Sequence, residues 1–222
     1  MNKFTNIQTN ENSIIDSHFV LKNTYFLLSL TLSFSVLTSI ISIFFNLPTP
    51  GFVLTFIFFY GLLFLINKYS NNELGIIAVF LFTGFIGYSS SSFISLFLSN
   101  ELKYVLILSL ISTAIIFFSC SIYVFTTKRS ISFLHGILMS CFISILIMSI
   151  ARFFLNIPAI SIVISIMSII FSTGAIMLET NDILNGGEKN YILATVNIYV
   201  SLYNIFINIL SLSTIFRNSN EE

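Results

Sequence analysis

YVLILSLISTAIIFFSCSIYVFT, residues 104–126, runs for twenty-three residues without a charge, a glycine or a proline. About 20 apolar residues make a helix long enough to cross a hydrocarbon layer. A helix is also one of the few structures that satisfies all its own backbone groups there. The stretch therefore reads as a transmembrane span, and six more lie around it. Upstream are Thr24–Phe45, Gly51–Ile66 and Leu74–Leu98. Downstream are Phe133–Leu155, Ile157–Leu178 and Tyr191–Ile215. The second of the seven is the shortest. The connections are brief: Leu47–Pro50, Asn67–Glu73, Ser99–Lys103, Thr127–Ser132, the turn at Asn156, and Glu179–Asn190. Short connections make successive helices antiparallel neighbours, as in a bundle.

Composition agrees. The 222 residues are 56% hydrophobic and 8% charged, with a mean hydropathy of +0.98. Soluble domains carry about 25% charged residues, so most of this surface must face lipid. The fold class expected is an all-α integral membrane protein, a seven-helix bundle. Residues 1–23 form a polar N-terminal tail, 24–215 the transmembrane domain, and 216–222 a short polar C-terminal tail. The first tail is too polar to order itself by burial, and it lacks the features of a secretory signal or a lipid anchor.

Nine Lys and Arg balance nine Asp and Glu, which leaves no basic face for nucleic acid. The lysines and arginines are unevenly placed. Lys3, Lys22, Lys68, Lys128, Arg129 and Lys189 fall on one side of the membrane, and Lys103, Arg152 and Arg217 on the other. Positive residues favour the cytoplasm, so the N-terminus is expected there and the C-terminus outside.

Polar residues inside the spans are the candidates for function. Asn197, Ser201, Asn204, Asn208 and Ser211 recur at helical spacing in the last span. They share one helix face, which is expected to turn toward the bundle interior as interhelical hydrogen-bond glue. The alternative is a hydrated path or an ion-binding groove. Glu179 and Asp182 close the sixth span three residues apart and share a face if the helix continues. They are ordinary solvated acids or a cation or proton site at the mouth of a polar-lined helix. Asn185, Gly186 and Gly187 then turn the chain. Thr31, Ser35 and Ser39 form a ridge of small residues on the first span. Gly84 and Gly87 thin the third, so close packing is expected at both. His135 has the chemistry of a pH sensor, although a lone interfacial histidine more often only hydrogen-bonds. Cys120 and Cys141 read as packing residues. The motif Phe44-Phe45-Asn46-Leu47-Pro48 is echoed by Phe154-Leu155-Asn156-Ile157-Pro158. There is no nucleophile–base set, no metal-protease motif and no phosphate-binding loop. The expectation is a noncatalytic protein without a cofactor, whose partners are membrane lipid and other proteins.

Three stretches resemble the Bax inhibitor-1 family of membrane proteins. They are His18–Ser39 (HFVLKNTYFLLSLTLSFSVLTS), Phe82–Ser89 (FTGFIGYS) and Gly174–Leu210 (GAIMLETNDILNGGEKNYILATVNIYVSLYNIFINIL). The resemblance implies seven helices with the last enclosed by the other six, and residence in a bacterial inner membrane. It also implies two functions. One is a pH-sensitive calcium or proton leak gated by two acids on the sixth and seventh helices. The other is interaction with the membrane AAA protease FtsH, as a modulator and as a substrate. By position the first gating acid falls on Glu179, in LETND. The second falls on Ser201, in IYVSLYN, where the leak pattern has Asp. Two carboxyls share a proton and titrate together; a carboxyl and a hydroxyl do not. The second span also has no arginine as a charge partner, and Lys68 is the nearest base. The protease-modulating function is favoured on these grounds.

Overall fold

The computed structural model describes residues 2–99, 102–127, 131, 133–155 and 157–218, with side chains from 16 onward except at 99, 158, 217 and 218. Lys128, Arg129 and Asn156, used above for orientation and a turn, lie outside the described residues, as do the side chains of Lys3 and Arg217.

The described residues form seven helices: α1 (Asn2–Phe44), α2 (Phe52–Tyr69), α3 (Glu73–Ser99), α4 (Lys103–Thr126), α5 (Leu134–Phe154), α6 (Pro158–Leu184) and α7 (Tyr191–Asn218). Each is long and apolar enough to cross a membrane, so the seven spans expected from the sequence are present. Two run more than a helical turn beyond the expected bounds. α6 continues through Glu179 and Asp182 to Leu184. α1 begins at Asn2, so the polar segment before Thr24 prolongs the helix. No glycine or proline precedes Pro48. Adding residues to a formed helix avoids the cost of nucleation, and nothing in the segment interrupts it.

The helix ends follow from local chemistry. α1 stops where Asn46 takes a left-handed φ of 49°. Leu47 N–H then donates to Ser42 C=O at 3.0 Å, and Asn46 N–H to Ile43 C=O at 3.2 Å. This is the paired-bond C-cap that a left-handed residue permits, and asparagine is one of the few side chains suited to it. α6 ends the same way at Gly186, with φ 72°. There Gly187 N–H donates to Asp182 C=O at 2.8 Å and Gly186 N–H to Ile183 C=O at 3.2 Å.

The chain divides into two compact units, one of residues 1–102 and 182–199, the other of 103–181 and 200–222. In the first, α1 and α2 both pack along α3. The face α1 buries is polar as well as apolar: Ser17, Val20, Thr24, Leu27, Leu28, Thr31, Ser39 and Ser42 are all enclosed. Gly87 lets α3 approach this face, because a Cβ there would collide with the Ser35 carbonyl. Gly84 plays the same part, since its Cβ would lie 2.7 Å from the Phe34 ring. The small-residue ridge and the two glycines are thus two sides of one helix contact.

In the second unit α4 buries Val105, Ser109, Thr113, Phe117, Cys120, Ser121 and Val124. The Cys120 thiol points at the Thr173 carbonyl of α6, 3.9 Å away. α6 also meets α5, where Phe142 and Phe171 lie 6.0 Å apart and a Cβ at Gly174 would sit 2.7 Å from Leu138.

Candidate functional site

The polar side chains singled out from the sequence sit on the last turns of α6 and along α7. At the end of α6 the carboxyl oxygen Oε1 of Glu179 is buried, and the residue as a whole is half-buried. Thr180 is fully enclosed, and its hydroxyl has no hydrogen-bond partner among the described residues. Asn181 is buried and Asp182 half-buried. The acids therefore do not sit free in solvent at a frayed end. They belong to a closed helix whose terminal carbonyls are bonded through Gly186 and Gly187.

α7 starts at a built junction. Asn190 Oδ1 accepts from Ile192 N–H at 2.9 Å and Leu193 N–H at 3.3 Å. That is an N-cap, satisfying amides the helix itself cannot. Its Nδ2 donates to Ser70 C=O and to Asn71 Oδ1, both at 3.1 Å. Its own N–H donates to Glu188 Oε1 at 2.6 Å. One side chain thereby fixes the α6–α7 connection to the α2–α3 turn. A turn further along, Thr195 Oγ1 donates to Tyr191 C=O at 2.6 Å and reaches Thr24 C=O of α1 at 3.3 Å. Lys22, Lys68 and Lys189, all exposed, are gathered at this end of the first unit.

Tyr199 then ties three helices together. It is 1% exposed, and its hydroxyl donates to Ser35 Oγ of α1 at 2.8 Å and lies 3.4 Å from Thr83 C=O of α3. Its ring meets Phe82 edge-on at 6.3 Å. Toward the other end of the same α1–α3 seam, Ser42 and Ser91 share a hydroxyl hydrogen bond of 2.8 Å, and the Tyr88 hydroxyl bonds to Pro48 C=O. Sequence reasoning missed Tyr199 and most of this seam. The signal was the recurrence of Thr24, Thr31, Ser35, Thr38, Ser39 and Ser42 along α1, of which only the middle ridge stood out.

The asparagine stripe of α7 is less uniform than its spacing suggests. Ser201 is buried at 8% exposure, and Asn204 and Asn208 are half-buried. Asn208 Nδ2 donates to the Asn204 carbonyl of its own helix at 2.7 Å. Asn197 is exposed, contrary to the expected inward stripe. The reason is local, because the first turns of α7 pack through Ala194, Thr195, Ile198 and Tyr199, and Asn197 points away from that face. Among the described residues, no three His, Cys, Asp or Glu side chains converge as a metal site requires.

Seven membrane-length helices, a hydroxyl-rich seam and a capped acidic turn before the last helix define a class: polytopic helical membrane proteins with a polar interior. Within that class the chain belongs to the Bax inhibitor-1 family. The family model described as "Inhibitor of apoptosis-promoting Bax1" matches residues 17–220. Over 212 residues the chain is 46% identical to the Escherichia coli K12 protein named "Modulator of FtsH protease YccA", covering 96% of this chain and 97% of that one. The match to the O6:H1 strain's "Inner membrane protein YccA" has the same identity and coverage. An uncharacterised Pasteurella multocida protein is 47% identical over 89% of this chain and 90% of its own.

Proposed function

We propose that this chain is a noncatalytic multi-pass protein of the bacterial inner membrane that binds the protease FtsH, modulates its degradation of other membrane proteins, and is itself degraded by it. The observation that carries this reading is the 46% identity, over 96% of the chain, with a protein named as a modulator of FtsH. The N-terminus is cytoplasmic and the C-terminus periplasmic, in keeping with Lys22, Lys68 and Lys189 at one end of the first unit. The last helix is taken as the central one, as the resemblance to the Bax inhibitor-1 family implies. Glu179, Asp182 and Ser201 are then interior polar groups of a packed protein, with Asn208 bonded to the Asn204 carbonyl of its own helix.

The alternative, a pH-sensitive calcium or proton leak, has less support. A buried serine stands at 201 where the leak pattern requires an acid. The two readings separate in one pair of measurements. Pulse–chase in cells should show an FtsH membrane substrate living longer when this chain is overproduced, and this chain living longer when FtsH is absent. Liposomes holding the pure protein should show no calcium or proton flux between pH 5 and 8. Unchanged lifetimes together with clear flux would reverse the assignment.

A further inference from the structure

α2 packs on α3 through one face only. Phe59 meets Phe82 at 5.3 Å, Phe58 stacks on Phe85 at 5.2 Å, and Ile66 is the buried residue of the helix. The opposite face carries Val53, Ile57, Tyr60 and Phe64 at steps of four, three and four. With 3.6 residues per turn they form one stripe along the helix. All four are exposed, by 68%, 61%, 55% and 67%. Beside the stripe is Gly61, with nothing within 4 Å of the place a Cβ would occupy.

Lipid tails are a good solvent for Val53, Ile57 and Phe64. They are a poor one for Tyr60. Eight residues separate it from Phe52 and nine from Tyr69, so it sits about 12–14 Å from either end of the helix, near the bilayer midplane. Its ring touches Phe56 and Phe59, at 4.5 Å and with Phe59 as a sequence neighbour. Its hydroxyl makes no hydrogen bond among the described residues. Tyrosine normally lies at the membrane interface, where the hydroxyl meets water. An outward hydroxyl at mid-depth, with a glycine that admits a second backbone, is the combination that joins transmembrane helices: close approach plus an interhelical hydrogen bond.

We propose that the Val53–Ile57–Tyr60–Phe64 face of α2 is the docking surface for one transmembrane helix of the protease. That helix would offer a hydrogen-bond acceptor at the depth of Tyr60 and an acidic residue at the level of Lys68. This rests on the FtsH reading above and names the surface that serves it. A second copy of this chain is the other conceivable occupant, and Lys68 opposes it. Two copies inserted the same way round are related by an axis along the membrane normal, which makes the interface isologous and the two α2 helices parallel. Lys68 is exposed on this side of the helix, beside the Tyr69 ring, and would face its own counterpart. A partner helix with an acidic flank meets no such repulsion.

The test uses the full-length chain in bacterial membranes that contain FtsH. A photo-crosslinking phenylalanine analogue is placed at position 57, 60 or 64, and as a control at the equally exposed Ile147 of α5 (61%). Crosslinks to FtsH from α2, and none from 147, are the expected result. With the analogue at 64, Tyr60→Phe should lower the crosslink yield by about threefold to eighteenfold, the range of one interhelical hydrogen bond. Gly61→Leu should lower it further, with thermal unfolding unchanged because neither side chain packs inward. No crosslink to FtsH, while the wild type still slows degradation of an FtsH substrate, would overturn the docking face and leave the function standing. Crosslinks only to a second copy, or equal ones from 147, would also overturn it. Crosslinks without any effect on degradation would keep the face and reject modulation. Neither crosslinks nor an effect would reject both.

Discussion

At Tyr199 one hydroxyl, donated to Ser35 and close to the Thr83 carbonyl, holds α7 against α1 and α3. Hydrogen bonds between membrane helices are worth about 0.6 kcal/mol on average and up to about 1.7 kcal/mol. Tyr199→Phe keeps the ring against Phe82 and should lower unfolding stability in detergent by that amount. Gly87→Ala should do more harm, by about 1–3 kcal/mol, because the added methyl meets the Ser35 carbonyl and forces the helices apart. Thermal unfolding of the two variants beside wild type checks both. Ser201 distinguishes a dry interior from a conducting one. A charge in the middle of a membrane helix costs roughly 2.5–3.5 kcal/mol on insertion scales. Ser201→Asp should therefore lower folded yield and give no pH-dependent calcium flux in liposomes, and flux that also requires Glu179 would contradict this. The close approach at Gly84 and Gly87 was legible, because glycine in a span has few other uses. Tyr199 was not legible, because an isolated tyrosine in a hydrophobic run carries no mark of which helices it will reach.

Among the helices, spans and breaks were read well because each rests on local chemistry. Runs of apolar residues marked all seven helices, and Asn185, Gly186 and Gly187 marked the turn that the left-handed Gly186 closes. The upstream reach of α1 was not anticipated. Burial capacity was the criterion applied to the polar start, yet a helix already formed extends without the cost of a new nucleus. The junction at Asn190 was also hidden, since its second partner is the backbone of Ser70, 120 positions away in the chain. Asn190→Ala removes the cap of α7 and its tie to the α2–α3 turn together. A lost N-cap costs typically about 1 kcal/mol, and the two lost donors add to it. The loss should appear as faster hydrogen exchange at the amides of Ile192 and Leu193 and a lower unfolding temperature. Unchanged exchange there would mean the cap does not hold the start of α7.

For the whole molecule, topology and partnership are the two properties to settle. Seven spans put the termini on opposite sides. A reporter fused after Arg217 should read periplasmic and one fused before Lys22 cytoplasmic, and a shared side would break the seven-span arrangement. The exposed hydrophobic side chains of α2 and α5 suit a protein surrounded by lipid and other helices. The direct measurement of partnership is the rate at which purified FtsH degrades a membrane-protein substrate in liposomes, with and without this chain co-reconstituted. The substrate should be degraded several-fold more slowly when the chain is present, and the Glu179→Gln variant should slow it equally, because modulation needs no titrating acid pair. Degradation at the same rate with and without the chain would contradict the assignment.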